Sequence, residues 1–319
     1  MATRITLQTG QTIVLDGANY VLDASAGNDT VTAGDGNDVV TGGFRDQITL
    51  GNGKDTVVFA RSDIPGFNGS VTVGDGNDTI TAGLGVGIFN VIAGNGADAI
   101  SLGNLAIGEC TVTVGNGNDV ITVGSASDAT VSIKAGDGSD TITGGSNSAG
   151  SYSITAGNGR DVITGGNSGG FDYSITAGDG NDIIYAGHNN GGTYSVSVGS
   201  GNDLIYAGGG NSISLGTGQD TVVMKTMFDA ADNSIAGFGA RDRLDLGFVN
   251  FSPATDLVWT ENSANTGGTL TVDDHKGDLV NVTLAGQYTT QSFHLAGDGH
   301  GGTLVTDPTI PHLPLFART

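Results

Sequence analysis

Apolar residues recur along this chain at two spacings. Within short runs they alternate with polar ones, as in Thr141-Ile142-Thr143 and Ser153-Ile154-Thr155. Alternation of that kind turns successive side chains to opposite faces of a β-strand. The runs themselves repeat. Residues 135–206 read AGDGSDTITGGSNSAGSYSIT, AGNGRDVITGGNSGGFDYSIT, AGDGNDIIYAGHNNGGTYSVS and VGSGNDLIY, three blocks of 21 and the start of a fourth. Each block joins a nine-residue Gly-x-Gly-x-Asp-x-apolar-x unit to a Gly/Ser/Asn-rich unit that ends in a β-prone run. A fixed period of about 20 to 50 residues is the mark of a solenoid.

The period predicts the core. Two residues after each turn aspartate comes an apolar row: Ile80, Ile100, Ile121, Ile142, Ile163, Ile184, Ile205 and Val222. Seven residues before it comes another: Val71, Val91, Val112, Ile133, Ile154, Ile175, Val196 and Ile213. A third column, Phe89, Cys110, Val131, Tyr152, Tyr173 and Tyr194, is expected to point inward near the Gly/Ser/Asn loops at 144–150, 165–170 and 187–193. A core this thin buries little apolar area at about 25 cal/mol per Å², while a glycine-rich chain loses much entropy on folding. Something besides burial must close the turns.

The spacing changes along the chain. Asp29 to Asp46 and Asp38 to Asp55 are 17 apart, an insertion (61–70) follows, and the aspartates then fall at 78, 98, 119, 140, 161, 182, 203 and 220. One row of turns is therefore expected on one edge from Asp38 onward, with Asp29 and Asp46 on the opposite edge. Residues 1–23 alternate like strands and are predicted to cover the first repeat. The repeats span 24–223. Residues 224–306 lose glycine and alternate like an antiparallel β cap, and 307–319, with three prolines, reads as a flexible tail.

Composition sharpens this picture. There are 57 glycines and a formal net charge of −22, and 31 of the 33 acids are aspartates, Glu109 and Glu261 being the exceptions. A short carboxylate at a fixed turn position suggests a cation, although an aspartate can also accept turn N–H bonds. The eleven Lys and Arg residues are scattered, which argues against nucleic acid as a partner. No apolar run approaches the roughly 18 residues of a membrane span. The N-terminus lacks the apolar region of a signal peptide. Cys110 is alone, so no internal disulfide can form.

AGDGNDVVT (33–41), AGDGSDTIT (135–143) and AGDGNDIIY (177–185) resemble the nonapeptide of the RTX (repeats-in-toxin) proteins. The resemblance covers about residues 24–223. It implies an all-β fold, a right-handed parallel β-roll or β-solenoid with a C-terminal antiparallel β cap. It implies several Ca²⁺ ions, held by Asp38, Asp55, Asp78, Asp98, Asp119, Asp140, Asp161, Asp182, Asp203 and Asp220, with Asp29 and Asp46 on the other edge. The carbonyl donors would come from the glycine pairs Gly34 and Gly36, Gly51 and Gly53, Gly74 and Gly76, Gly94 and Gly96, and Gly115 and Gly117. Along the second half they would come from Gly136 and Gly138, Gly157 and Gly159, Gly178 and Gly180, Gly199 and Gly201, and Gly216 and Gly218. Two stacked turns together approach the six to eight oxygens calcium prefers. Phe44-Arg45-Asp46 and the Asp-free stretch 209–212 depart from the pattern. Asp35, Asp75, Asp137 and Asp179, between the glycines, are expected to be exposed.

IAGFGARDRLDLGF (235–248) and residues 269–307 resemble the C-terminal regions of type I secretion substrates, which implies export by that machinery from a bacterium and an uncleaved C-terminal signal. No set of base, acid and nucleophile is evident among the scattered histidines 188, 275, 294, 300 and 312, so no enzyme is expected. The expected function is a calcium-binding extracellular structural protein, a matrix, surface-layer or fibre component. It would fold on binding calcium and self-assemble or bind cell-surface polysaccharide. The alternatives are an adhesin or an ice- or glycan-binding module using Thr/Ser ladders, and a polysaccharide-modifying β-helix enzyme.

Overall fold

The computed structural model describes residues 2–59, 68–83 and 85–306. Most of the insertion at 61–70 and the whole of 307–319 lie outside these residues. Each repeat crosses two sheets. The run after each turn aspartate enters one sheet, called here the front sheet, as in Ala99–Leu102, Val120–Val123 and Thr141–Gly144. The run after each Gly/Ser/Asn loop enters the back sheet, as in Ala126–Lys134, Gly150–Thr155 and Asp172–Thr176.

Every repeat pairs in parallel with its equivalent one turn on. In the front sheet Ile100, Ile121, Ile142, Ile163, Ile184 and Ile205 stand in register. In the back sheet Val91, Val112, Ile133, Ile154, Ile175, Val196 and Ile213 do the same. Both rows are buried, and so is the third column from Phe89 to Tyr194. The fold is thus the expected parallel β-solenoid.

The third column shows how one residue type makes room for another. Tyr152, Tyr173 and Tyr194 stack at centroid separations of 4.9 and 4.7 Å. Their hydroxyls accept the N–H groups of Gly145, Gly166 and Gly187 at 3.0–3.1 Å. A Cβ on Gly144 would lie 2.5 Å from the Tyr173 hydroxyl and one on Gly165 2.2 Å from that of Tyr194. Glycine there gives the next turn's phenol its space. Cys110 is fully buried in this column, and burial pushes its thiol up to about 12, so it packs as a small apolar side chain.

Parallel stacking reaches both ends. Thr3–Thr6 and Thr12–Val14 pair in parallel with Tyr20–Ala24 and Thr30–Thr32, so the N-terminal residues form a coil of the solenoid in their own right. At the other end Ser234–Ala236 and Arg243–Leu246 continue the two sheets past residue 223. There the direction changes. Asp256–Glu261, Gly267–Asp273 and Leu279–Ala285 form an antiparallel meander on the back sheet, and Thr303–Thr306 and His294–Gly297 close the front sheet antiparallel. Trp259, Tyr288, Phe293 and Phe238 pack beneath this cap. Among the described residues no helix is long and apolar enough to cross a membrane.

Candidate metal centre

The turn that ends each front-edge loop is set by its two glycines. The second glycine has φ between +144° and +157° at Gly53, Gly96, Gly138, Gly159, Gly180, Gly201 and Gly218, backbone that only glycine adopts readily. A Cβ at these positions would sit 1.4–1.7 Å from the carbonyl oxygen of the equivalent glycine one turn back, and the same holds at Gly76 and Gly117. At the first glycines Gly51, Gly74, Gly94, Gly115, Gly136, Gly157, Gly178, Gly199 and Gly216 a Cβ would meet backbone at 2.7 Å or less, and at Gly34 at 3.1 Å. The turns are stacked too closely for side chains, and their carbonyls face one another's backbone.

This stacking carries the aspartates into one buried file. Asp38, Asp55, Asp78, Asp98, Asp119, Asp140, Asp161, Asp182, Asp203 and Asp220 are each at most 2% exposed. The N–H of each donates to the Oδ1 of the next at 2.7–3.0 Å. The file starts with the Tyr20 N–H on Asp38 Oδ1 and ends with the Asp220 N–H on Asp242 Oδ1. Thus the turn N–H reading of these residues holds for one oxygen of each. The other oxygen, Oδ2, is buried without a partner in all ten.

A carboxylate has only acceptors to offer, so a buried oxygen with no donor costs the fold free energy. Desolvation accordingly raises these acids against the downward pull of the N–H bonds. Asp55 and Asp203 are pushed up to about 7, and Asp78, Asp119, Asp140 and Asp182 to about 6. Asp38, Asp98, Asp161 and Asp220 are raised by the same cause. A cation removes the conflict by supplying what each Oδ2 lacks. Among the described residues no three His, Cys, Asp or Glu side chains are placed so as to hold a metal ion between them. A cation here would therefore take aspartates of consecutive turns and complete its shell with carbonyls. An all-oxygen donor set of that kind suits calcium.

Two aspartates stand apart. Asp29 lies on the opposite edge; its Oδ1 accepts the Gln11 N–H at 2.7 Å and its Oδ2 is unpartnered. Asp46, on the same edge, has both oxygens filled, by the N–H of Asp29 at 2.8 Å and of Gly43 at 2.6 Å. Asp46 thus leaves no oxygen unmet, whereas Asp29 Oδ2 is in the same state as the Oδ2 atoms of the main file. Asp35, Asp75, Asp137 and Asp179 are exposed and accept the N–H groups of Asn52, Asn95, Asn158 and Ser200 one turn on.

Two features were not read from the sequence. Asp242 ends the buried file, with its Oδ2 filled by the Gly239 N–H. Its signal is Gly237-Phe238-Gly239-Ala240-Arg241-Asp242, the repeat motif lengthened by one residue. The opposite edge is closed by amides. Asn211 Nδ2 donates to the carbonyls of Gly187 and Gly208, and Asn189 Nδ2 to those of Gly192 and Gly210. A side-chain NH₂ draws carbonyls together there without any ion.

A family model, the RTX calcium-binding nonapeptide repeat in four copies, matches residues 21–44, 67–88, 131–148, 153–168, 174–190 and 195–222. No curated protein matches the chain. The matched segments cover most of the turns that hold the buried aspartates, and they carry the two glycines that place them. The matched repeats and the parallel β-solenoid together fit an RTX β-roll protein built on the calcium-binding nonapeptide repeat.

Proposed function

We propose that this protein is an extracellular structural component, exported unfolded and folded by calcium at its destination, which then self-assembles. One observation carries the reading: ten buried Oδ2 atoms without partners run the length of the solenoid, so its stability depends on an ion along most of its axis. Calcium would be held by the file from Asp38 to Asp220 with carbonyls of the turn glycines, and would supply the cross-links that a chain with one cysteine cannot. The repeat and its caps occupy nearly all of the described residues. The groove of about 420 Å³ lined by Asn28, Arg45 and Asp46 contains one carboxylate, already filled by backbone N–H, which supports a non-enzymatic role.

A second reading, an adhesin or an ice- or glycan-binding module, is favoured by one file on the outer side of the back sheet: Thr111, Ser132, Ser153, Ser174, Ser195, Ser212 and Ser234 in strict register. The test is circular dichroism with and without chelator, followed by electron microscopy and light scattering as calcium is raised. At neutral pH the proposal expects little β-structure in chelator, a large gain in roughly millimolar calcium as in extracellular calcium modules, and particles that then grow. A folded monomer at every calcium concentration would favour the binding module.

A further inference from the structure

The two outer faces of the solenoid differ in charge. On the front sheet, the ten strands from Val39–Gly42 to Thr221–Met224 turn no charged side chain outward. Their outward positions are Thr, Val, Ala, Ser, Ile, Leu and Tyr. Charge returns only beyond the strip, at Asp23 on one side and at Arg243 and Asp245 on the other. Lys225 marks the margin, its Nζ 4.4 Å from the centroid of the Tyr206 ring. The back sheet is different, with Glu109, Asp128, Lys134 and Asp172 exposed on its outer face. In a chain of net charge −22 a neutral strip of ten strands is a marked departure. The strip also exposes apolar surface: Val39, Val58, Val120 and Tyr185 are 40–51% exposed.

We propose that this front face is where two copies of the chain associate face to face once calcium has folded them; the inference rests on the assembly reading above. Three arguments select a second copy. The face is periodic and uncharged, so two of them meet without stranding an unpaired charge. Ten strands about 4.8 Å apart and three or four residues wide give about 500 Å² a copy, so a full-length overlap reaches the roughly 1,000 Å² that a specific interface needs. Net repulsion between copies falls with calcium, because the file of ten aspartates has nine intervals and a filled row at two charges each offsets most of the −22. The antiparallel cap interrupts the parallel stack at the C-terminal end, so the repeat does not continue into a second copy there.

The test uses the full chain in saturating calcium and compares three proteins by sedimentation, with circular dichroism to confirm equal folding. One variant carries Thr81→Lys, Thr122→Lys and Thr164→Lys on alternate strands of the front face. The other carries Thr32→Lys, Thr72→Lys and Thr113→Lys on alternate strands of the back face. Both make the chain less acidic, so neither adds net repulsion. The front variant should need at least about tenfold more protein to associate, as charges are buried at the contact, while the back variant should behave as wild type. If the front variant misfolds, single Thr122→Lys replaces it. Association of wild type with an unaffected front variant overturns this inference and leaves the assembly reading standing. A wild type that stays monomeric in calcium removes both. Retention of a monomeric wild type on cellulose or chitin, lost in the front variant, overturns the second-copy assignment in favour of a neutral polysaccharide.

Discussion

The backbone N–H of Asp140 donates to Oδ1 of Asp161 in the next turn at 2.8 Å, and Oδ2 of Asp161 is buried with no partner. The same side chain thus joins two turns and opens a demand that neither can meet. It is the unit from which the metal file is built.

Asp161→Ala should therefore do two things. It removes the acceptor for the Asp140 N–H and a ligand shared by two turns, so calorimetric titration should show about two fewer calcium ions bound, since each ion draws on stacked turns. Asp161→Asn keeps an acceptor for that N–H and carries no charge to desolvate. It should lose calcium as well but fold more readily than Asp161→Ala in calcium-free buffer. Equal behaviour of the two variants would show that the inter-turn hydrogen bond contributes nothing.

The raised carboxyls fix the sign of a pH effect. Asp55 and Asp203 are held at about 7 and four further aspartates at about 6, against 3.8 ordinarily. An acid whose pKa rises on folding favours the fold below its unfolded value and loses that contribution as pH rises through the folded value. Calcium-free protein should hence show more β-structure near pH 5 than near pH 8. With calcium the order reverses, because protons compete for the same oxygens and affinity falls below about pH 6. Calcium-free spectra that gain structure as pH rises would contradict the buried file.

Gly138→Ala places a Cβ 1.4 Å from the Gly117 carbonyl oxygen at φ +157°. Neighbouring turns would have to separate, and the loss should exceed about 3 kcal/mol, measured by chemical unfolding in saturating calcium. Gly239→Ala is the control: its nearest atom is 3.7 Å away, and its effect should stay within about 1 kcal/mol.

Tyr173→Phe keeps the stack with Tyr152 and Tyr194 but removes the acceptor for the Gly166 N–H. A half-buried donor left unpaired should cost about 1–3 kcal/mol of unfolding free energy in calcium. No change in the unfolding midpoint would mean that water replaces the phenol.

The sequence by itself determined the period, and the period determined much else. Side chains alternate across a strand, so the distance from each aspartate assigned Ile142 and Ile154 to the core before any coordinates, and the tyrosine column with them. It also set Asp29 and Asp46 on the edge opposite the main file, because their offset from Asp38 and Asp55 is half a turn. Only the tertiary structure decided which oxygens are satisfied. The turn before Asp46 departs from the repeat motif, but the consequence is visible only in three dimensions: Gly43 fills the second oxygen of Asp46, and nothing fills that of Asp161. Asp242 was hidden by one extra residue in its turn. The amide-closed edge was hidden because asparagine in a glycine-rich loop has no period-specific signature. Some of these contacts lie within one turn, as Gly43 to Asp46 and Gly239 to Asp242, and depend on the backbone direction there; others, as Asn189 to Gly210 and Asn211 to Gly187, join residues more than 20 apart, and spacing alone encodes neither kind. The neutral front face is a joint product: alternation selects its residues, and stacking in register merges them into one surface.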